Sequence, residues 1–121
     1  RSICIAGDTG ILLNNRMTYW HQVTHMLDFG MTPQEAVEAP CWRSLQNPME
    51  STVPHTCEDV LQLEGRFPEV MRKNLAQKGH DLQILEDWDG PGNAQAIQIK
   101  AETGVLMGGS DPRRDGYAVA Y

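Results

Sequence analysis

The chain has 121 residues, a formal net charge of −6 and a sequence pI near 5.0. That length is one ordinary domain, and 40% hydrophobic with 21% charged residues excludes an intrinsically disordered polymer. The acidic balance argues against nucleic acid, because phosphate contacts need clustered Lys and Arg, and the one tight basic pair, Arg113-Arg114, is flanked by Asp111 and Asp115.

Ile3 to Ile5 and Ile11 to Leu13 are short apolar runs on either side of Gly7-Asp8-Thr9-Gly10, which predicts strand, turn, strand. Asn14-Asn15-Arg16 follows as a polar loop. Trp20, Val23, Met26 and Leu27 then recur at helical spacing, with Gly30 where a residue past the helix end belongs. Between loop and helix, at Tyr19-Trp20-His21-Gln22, there is no Gly, no Pro and no cap. Thr32-Pro33-Gln34-Glu35 predicts a helix start with Thr at the N-cap, Pro at the first helical position and Glu closing a capping box; that helix stops at Pro40.

Residues 44–56 are loop-like, with Pro48 and Pro54. Leu61 and Leu63 alternate with Gln62 and Glu64, which predicts a half-buried strand. Pro68 to Lys78 is expected to be helical, with Phe67, Val70, Met71 and Leu75 on one face and Gly79 at its end. A strand over 80–86, a loop over 87–93 and a β-hairpin from Ala94 to Met107 come next. A Gly/Asp/Pro/Arg stretch then leads to a last strand over 117–121. Central helices with strands early and late favour an α+β fold on a mostly antiparallel sheet.

Several residue groups invite chemistry. His21 and His25 stand four apart on a predicted helix, a spacing that suits a metal, and His55 and Cys57 could join them. No acidic residue follows His21 as in a zinc peptidase and no Cys-x-x-Cys exists, so solvent-facing or capping histidines and no metal are expected. Ser110-Asp111 lacks the G-x-S-x-G elbow of a nucleophilic serine and reads as a turn, with Asp111 and Arg113 paired to each other or to the last loop. The Asp-Thr-Gly at Asp8 is too short to name a catalytic carboxylate. Asn14, Asn15 and Arg16 could recognise a carboxylate through amides and a guanidinium fork, or be a solvated strand-end loop. Cys4, Cys41 and Cys57 form no disulfide framework or zinc ribbon, so buried thiols are expected. No apolar run approaches the roughly 18 residues of a membrane span.

Three motifs in order, "TGILLNNRM", "LDFGMTPQEAVEAP" and "GGSDPRRDGYAVAY", span nearly the whole chain. Together they resemble the C-terminal part of the small subunit of γ-glutamyltransferase-like enzymes, including cephalosporin (glutaryl) acylases. The resemblance implies an αββα N-terminal nucleophile hydrolase sandwich with no cofactor. It implies chemistry in which a newly exposed Thr attacks an amide carbonyl, with its own α-amino group as base. It also implies a place in glutathione metabolism, a small-molecule amide or γ-glutamyl substrate, and as partner the remainder of the same enzyme: the large subunit and the N-terminal part of the small one. Neither nucleic acid nor membrane is an expected partner.

On that resemblance Asn14, Asn15, Arg16 and Tyr19 lie on the acyl-binding loop. True transferases often carry an acidic residue at the Tyr19 position, to hold the α-ammonium of glutamate, and Gln at that of Arg16. Tyr19 supplies no such charge and Arg16 suits a second carboxylate, which favours a dicarboxylic acyl group. The family's nucleophilic Thr belongs upstream of "GILLNN", and several dozen residues bearing the oxyanion hole belong between the acyl loop and "DFGM". The chain is therefore expected to be a single, incomplete C-terminal domain over 1–121 with a missing segment near 20–22, and no catalytic residue of its own. Cys41 stands where the family usually has Arg.

Overall fold

The computed structural model describes residues 2–7, 14–45, 60–90 and 92–119, with side chains from Trp20 onward. In chain order it contains β1 (Ser2–Gly7), α1 (Asn14–Leu27), α2 (Pro33–Glu38), β2 (Trp42–Ser44), β3 (Val60–Glu64), α3 (Glu69–Gln77), β4 (Asp81–Leu85), β5 (Ala94–Ile99) and β6 (Leu106–Ser110). This is the expected α+β mixture. It divides into two units, one of Arg1–Ala39 with Gly92–Tyr121 and one of Pro40–Pro91.

In the first unit β5 pairs antiparallel with both β1 and β6. The predicted hairpin is present, and its alternation decides which face is buried. Ala94 and Ala96 are inside, while Ile97 is 47% exposed on the other face. Met26 of α1 and Ala36 and Val37 of α2 join the two alanines in the core, with Met31 packed against it. Burying a Met or Val side chain contributes about 1.5–3 kcal/mol. The alanines and Gly109 let helix and sheet approach closely: a Cβ at Gly109 would stand 2.6 Å from the Pro33 carbonyl carbon.

The helix ends follow the sequence. Thr32 caps α2, its hydroxyl accepting from the Glu35 amide at 3.3 Å while its own amide donates to the Glu35 carboxylate at 2.8 Å. Those two hydrogen bonds satisfy otherwise orphaned donors. Gly30 holds φ +69, which turns the chain out of α1 so that the Met31 amide reaches the His25 carbonyl at 3.0 Å. Only a residue without a Cβ adopts that region readily.

Two expectations fail here. Asn14-Asn15-Arg16 is the first turn of α1, not a loop. Nothing between Asn14 and Gln22 breaks a helix, so α1 runs through Trp20–Gln22 without interruption. Residue polarity suggested a loop, and the absence of breakers was the better signal. Residues 117–119 are not a strand; Tyr117 is 85% exposed and Val119 83%. The strand expected over 11–13 and the turn over 8–10 lie outside the described residues.

The second unit is a βαβ unit with an added edge. β3 pairs antiparallel with β2 and parallel with β4, α3 forming the crossover. The parallel pair departs from the antiparallel expectation, because a helical connection over 65–80 returns the chain to the same end of the sheet. β3 is more buried than its alternation suggests, with Leu63 2% exposed and Glu64 0%. Register aligns Arg43, Gln62 and Gln83. Arg43 donates to the Gln62 carbonyl through Nε (2.9 Å) and Nη2 (2.6 Å), and the Gln62 amide donates to Gln83 at 2.7 Å. No residue of α3 is buried, so its predicted apolar stripe stays exposed at Val70 and Met71.

The Glu64 carboxylate accepts from the amides of Cys41 (3.1 Å) and Gly90 (2.9 Å) and from Arg66 Nη2 (2.6 Å). Arg66 in turn lies 3.5 Å over the Trp88 ring. A buried carboxylate is tolerable when its lone pairs are met by donors and a cation in this way.

Candidate functional site

The four residues singled out for acyl recognition all fall at the start of α1. Asn14, Asn15 and Arg16 occupy its first turn and Tyr19 the second, so the backbone places Asn15 and Tyr19 one turn apart. The first turn contains no acidic residue. The helix start is the positive end of the macrodipole, and no acid of its own first turn offsets that field.

Further along α1 the side chains are defined. His21 and His25 have ring centroids 6.1 Å apart, and His25 and Phe29 are 6.2 Å apart. Burial, and then the neighbouring His25, hold the His21 imidazole below its ordinary 6.5, so it is neutral near pH 7. Gln22 is buried, and its Oε1 and the Nδ1 of His25 have no hydrogen-bond partner among the described residues. No group of three or more His, Cys, Asp or Glu among those residues is placed to hold a metal. His55 and Cys57 lie outside them, and Cys41 is not in a disulfide. No described helix is long and apolar enough to cross a membrane.

The Gly-Gly-Ser-Asp-Pro-Arg segment docks on α2. Gln34 and Ser110 exchange hydrogen bonds, the Gln34 amide donating to the Ser110 carbonyl and the Ser110 amide to Gln34 Oε1, both at 3.1 Å. Arg113 Nη1 contacts Asp111 Oδ1 at 2.8 Å and the Val37 carbonyl at 2.9 Å, and Nη2 reaches the Ala39 carbonyl at 2.8 Å. Both side chains are fully enclosed, 0% and 1% exposed. The expected Asp111–Arg113 pair is therefore present, and the backbone groups it serves belong to the C-terminal end of α2, where a cation also meets the negative end of the helix. Ser110 Oγ is buried with no hydrogen-bond partner among the described residues, and Gly116 lies over it so closely that a Cβ there would collide with the hydroxyl. Ser110 is the last residue of β6, and the turn expected at Ser110-Asp111 comes just after it, over 112–115.

Sequence reasoning missed two parts of this arrangement. Gln34 looked like an ordinary first-turn residue, and only the fold brings it to Ser110. Glu64 looked like the polar partner of an alternating strand, with nothing local to reveal its burial.

Comparison with known proteins places these features in a family. The family model described as gamma-glutamyltranspeptidase matches residues 19–121. The chain is 40% identical over 101 residues to the glutathione hydrolase-like YwrD proenzyme of Bacillus subtilis, covering 80% of this chain and 17% of that protein. It is 34% identical over 93 residues to the oxamate amidohydrolase proenzyme of Klebsiella pneumoniae, covering 76% of this chain and 16% of that protein. The crystal structure of cephalosporin acylase from Bacillus halodurans matches at 32% identity with a TM-score of 0.70, over 86% of this chain and 17% of that one. Gamma-glutamyltranspeptidase from Pseudomonas nitroreducens, complexed with L-DON, shares the fold at 18% identity and a TM-score of 0.71, over 99% of this chain and 55% of that one. The chain thus spans about one sixth of the length of these curated relatives. With the match running from Tyr19 through the docked C-terminal motif, the chain belongs to the gamma-glutamyltranspeptidase family.

Proposed function

We propose that this chain is the acyl-recognising, C-terminal portion of an amidohydrolase or acyltransferase whose nucleophilic Thr lies outside it. In that chemistry the Thr hydroxyl adds to an amide carbonyl, its α-amino group takes the proton, and the amine leaves carrying that proton. Water or a second amine then attacks the acyl ester. Asn14, Asn15, Arg16 and Tyr19 are assigned to the acyl group. Arg16 forks onto a distal carboxylate, and the neutral Tyr19 gives no counter-charge to an α-ammonium. The observation that carries this reading is the start of α1, which sets an arginine and no acid in its first turn.

One relative's name agrees with the assignment: oxamate is an amide that carries a carboxylate. The preferred acyl group is accordingly a dicarboxylic one, glutaryl over γ-glutamyl. The remainder of the enzyme is the partner, including a segment near residues 20–22 that carries the oxyanion hole. The test is hydrolysis by the whole protein of glutaryl-p-nitroanilide against γ-glutamyl-p-nitroanilide. Faster release of p-nitroaniline from the glutaryl compound supports the reading, and much faster release from the γ-glutamyl compound refutes it.

The alternative is a non-catalytic α+β scaffold or interaction module derived from the family. An intact mass spectrum of the purified protein separates the two. A single species near 13.5 kDa with no companion chain supports the module, and additional mass supports the enzyme portion.

A further inference from the structure

The inner face of the β1-β5-β6 sheet changes character along β5. At its start the inward positions are Ala94 and Ala96, and the helices pack directly on them. The same alternation brings Lys100 to that face just past the strand end, while β6 places Met107 opposite Gln98. A cleft of about 380 Å³ lies between Met31 and Thr32 on one side and Ile99, Lys100, Glu102 and Met107 on the other. Sites for small ligands begin at about 300 Å³ and combine an apolar lining with a few polar groups.

The lining chemistry is specific. Met31 and Met107 give an apolar, adaptable wall. Lys100 has no ion pair or side-chain hydrogen bond among the described residues. Glu102 likewise has no cationic partner among the described residues. An available ammonium, an available carboxylate and an apolar wall share one cleft.

We propose that this cleft binds a small carboxylate with an aliphatic body, of which a free aliphatic α-amino acid is the zwitterionic form. The ligand carboxylate meets Lys100, the aliphatic chain lies on Met31 and Met107, and the ammonium of an amino acid meets Glu102. This site shares no residue with the acyl-recognition assignment on α1, so each can fail without the other.

The test is NMR of the whole protein carrying ¹³C-methyl methionine, titrated with L-leucine, 4-methylpentanoate and 3-methylbutylamine. Both carboxylates should move the Met31 and Met107 methyl resonances saturably and leave the core Met26 in place, while the amine, which can meet Glu102 but not Lys100, should bind more weakly than L-leucine. Lys100→Gln should weaken both carboxylates at least tenfold, the loss of one charge-assisted contact. A leucine preference that Glu102→Gln removes supports an amino acid as the ligand, and equal binding of the two supports a simple carboxylate. Absence of saturable shifts, equal response to the amine, or unchanged binding in Lys100→Gln overturns the proposal.

Discussion

Removing the Arg113 guanidinium is the sharpest structural test of how the C-terminal motif is held. Arg113→Ala deletes the contacts to Asp111, Val37 and Ala39 at 2.8–2.9 Å and leaves an Asp111 side chain that is 1% exposed without its cation. Breaking a buried pair on one side costs about 3–5 kcal/mol. Among the described residues Asp111 keeps one donor, the Arg113 backbone amide at 3.0 Å, which places the expected loss near the lower end, about 3 kcal/mol. Removing both partners relieves the uncompensated charge, so Arg113→Ala with Asp111→Ala should be less destabilised than the sum of the single changes. The assay is urea unfolding of the intact protein, read from the midpoint at constant slope, with hydrogen exchange of the α2 amides as the local readout. A loss below about 1 kcal/mol in the single variant, or full additivity in the double, would refute the reasoning.

Other changes probe the remaining devices. Gly90→Ala sets a methyl group against the Glu64 carboxylate and 2.9 Å from the Cys41 Cβ, and should cost about 1–3 kcal/mol by denaturant unfolding. Thr32→Ala opens the capping box and should cost about 0.5–2 kcal/mol, with faster amide exchange in the first turn of α2. His21 titrates below its ordinary 6.5 in the folded state, so between the two values the unfolded chain binds the proton more readily. Stability should therefore fall as pH drops below about 6.5, and comparing unfolding midpoints at about pH 7.5 and about pH 5.5 should show His21→Gln reducing that fall.

The parts of the fold legible in the sequence are those fixed by short-range chemistry. Thr32, Pro33 and Glu35 announce α2 because a capping box is complete within four residues. Gly30 and Gly79 mark helix ends because only their positive φ, +69 and +93, turns the chain there. The Ala94–Met107 hairpin is readable from alternation alone. What was not legible depends on distance. Glu64 is buried by the amides of Cys41 and Gly90, each more than twenty positions away. Gln34 finds Ser110 76 positions on. The parallel β3–β4 pairing needs the geometry of a crossover that local pattern does not specify.

Asn14 to Tyr19 shows the opposite error. Residue type suggested a carboxylate site, and polarity was taken for a loop. A helix start presents the same residues with a positive backbone field behind them. The proposed acyl preference needs only that field and the charges of Arg16 and Tyr19.

That preference is tested most directly by one ratio, kcat/KM for glutaryl- over γ-glutamyl-p-nitroanilide, measured for the whole protein and for its Tyr19→Asp variant. The account predicts a ratio above one in the unaltered protein. It also predicts a shift of at least about tenfold toward γ-glutamyl when a carboxylate is placed at position 19, the scale of one charge-assisted contact. A ratio well below one in the unaltered protein, or one that Tyr19→Asp leaves unchanged, would contradict it.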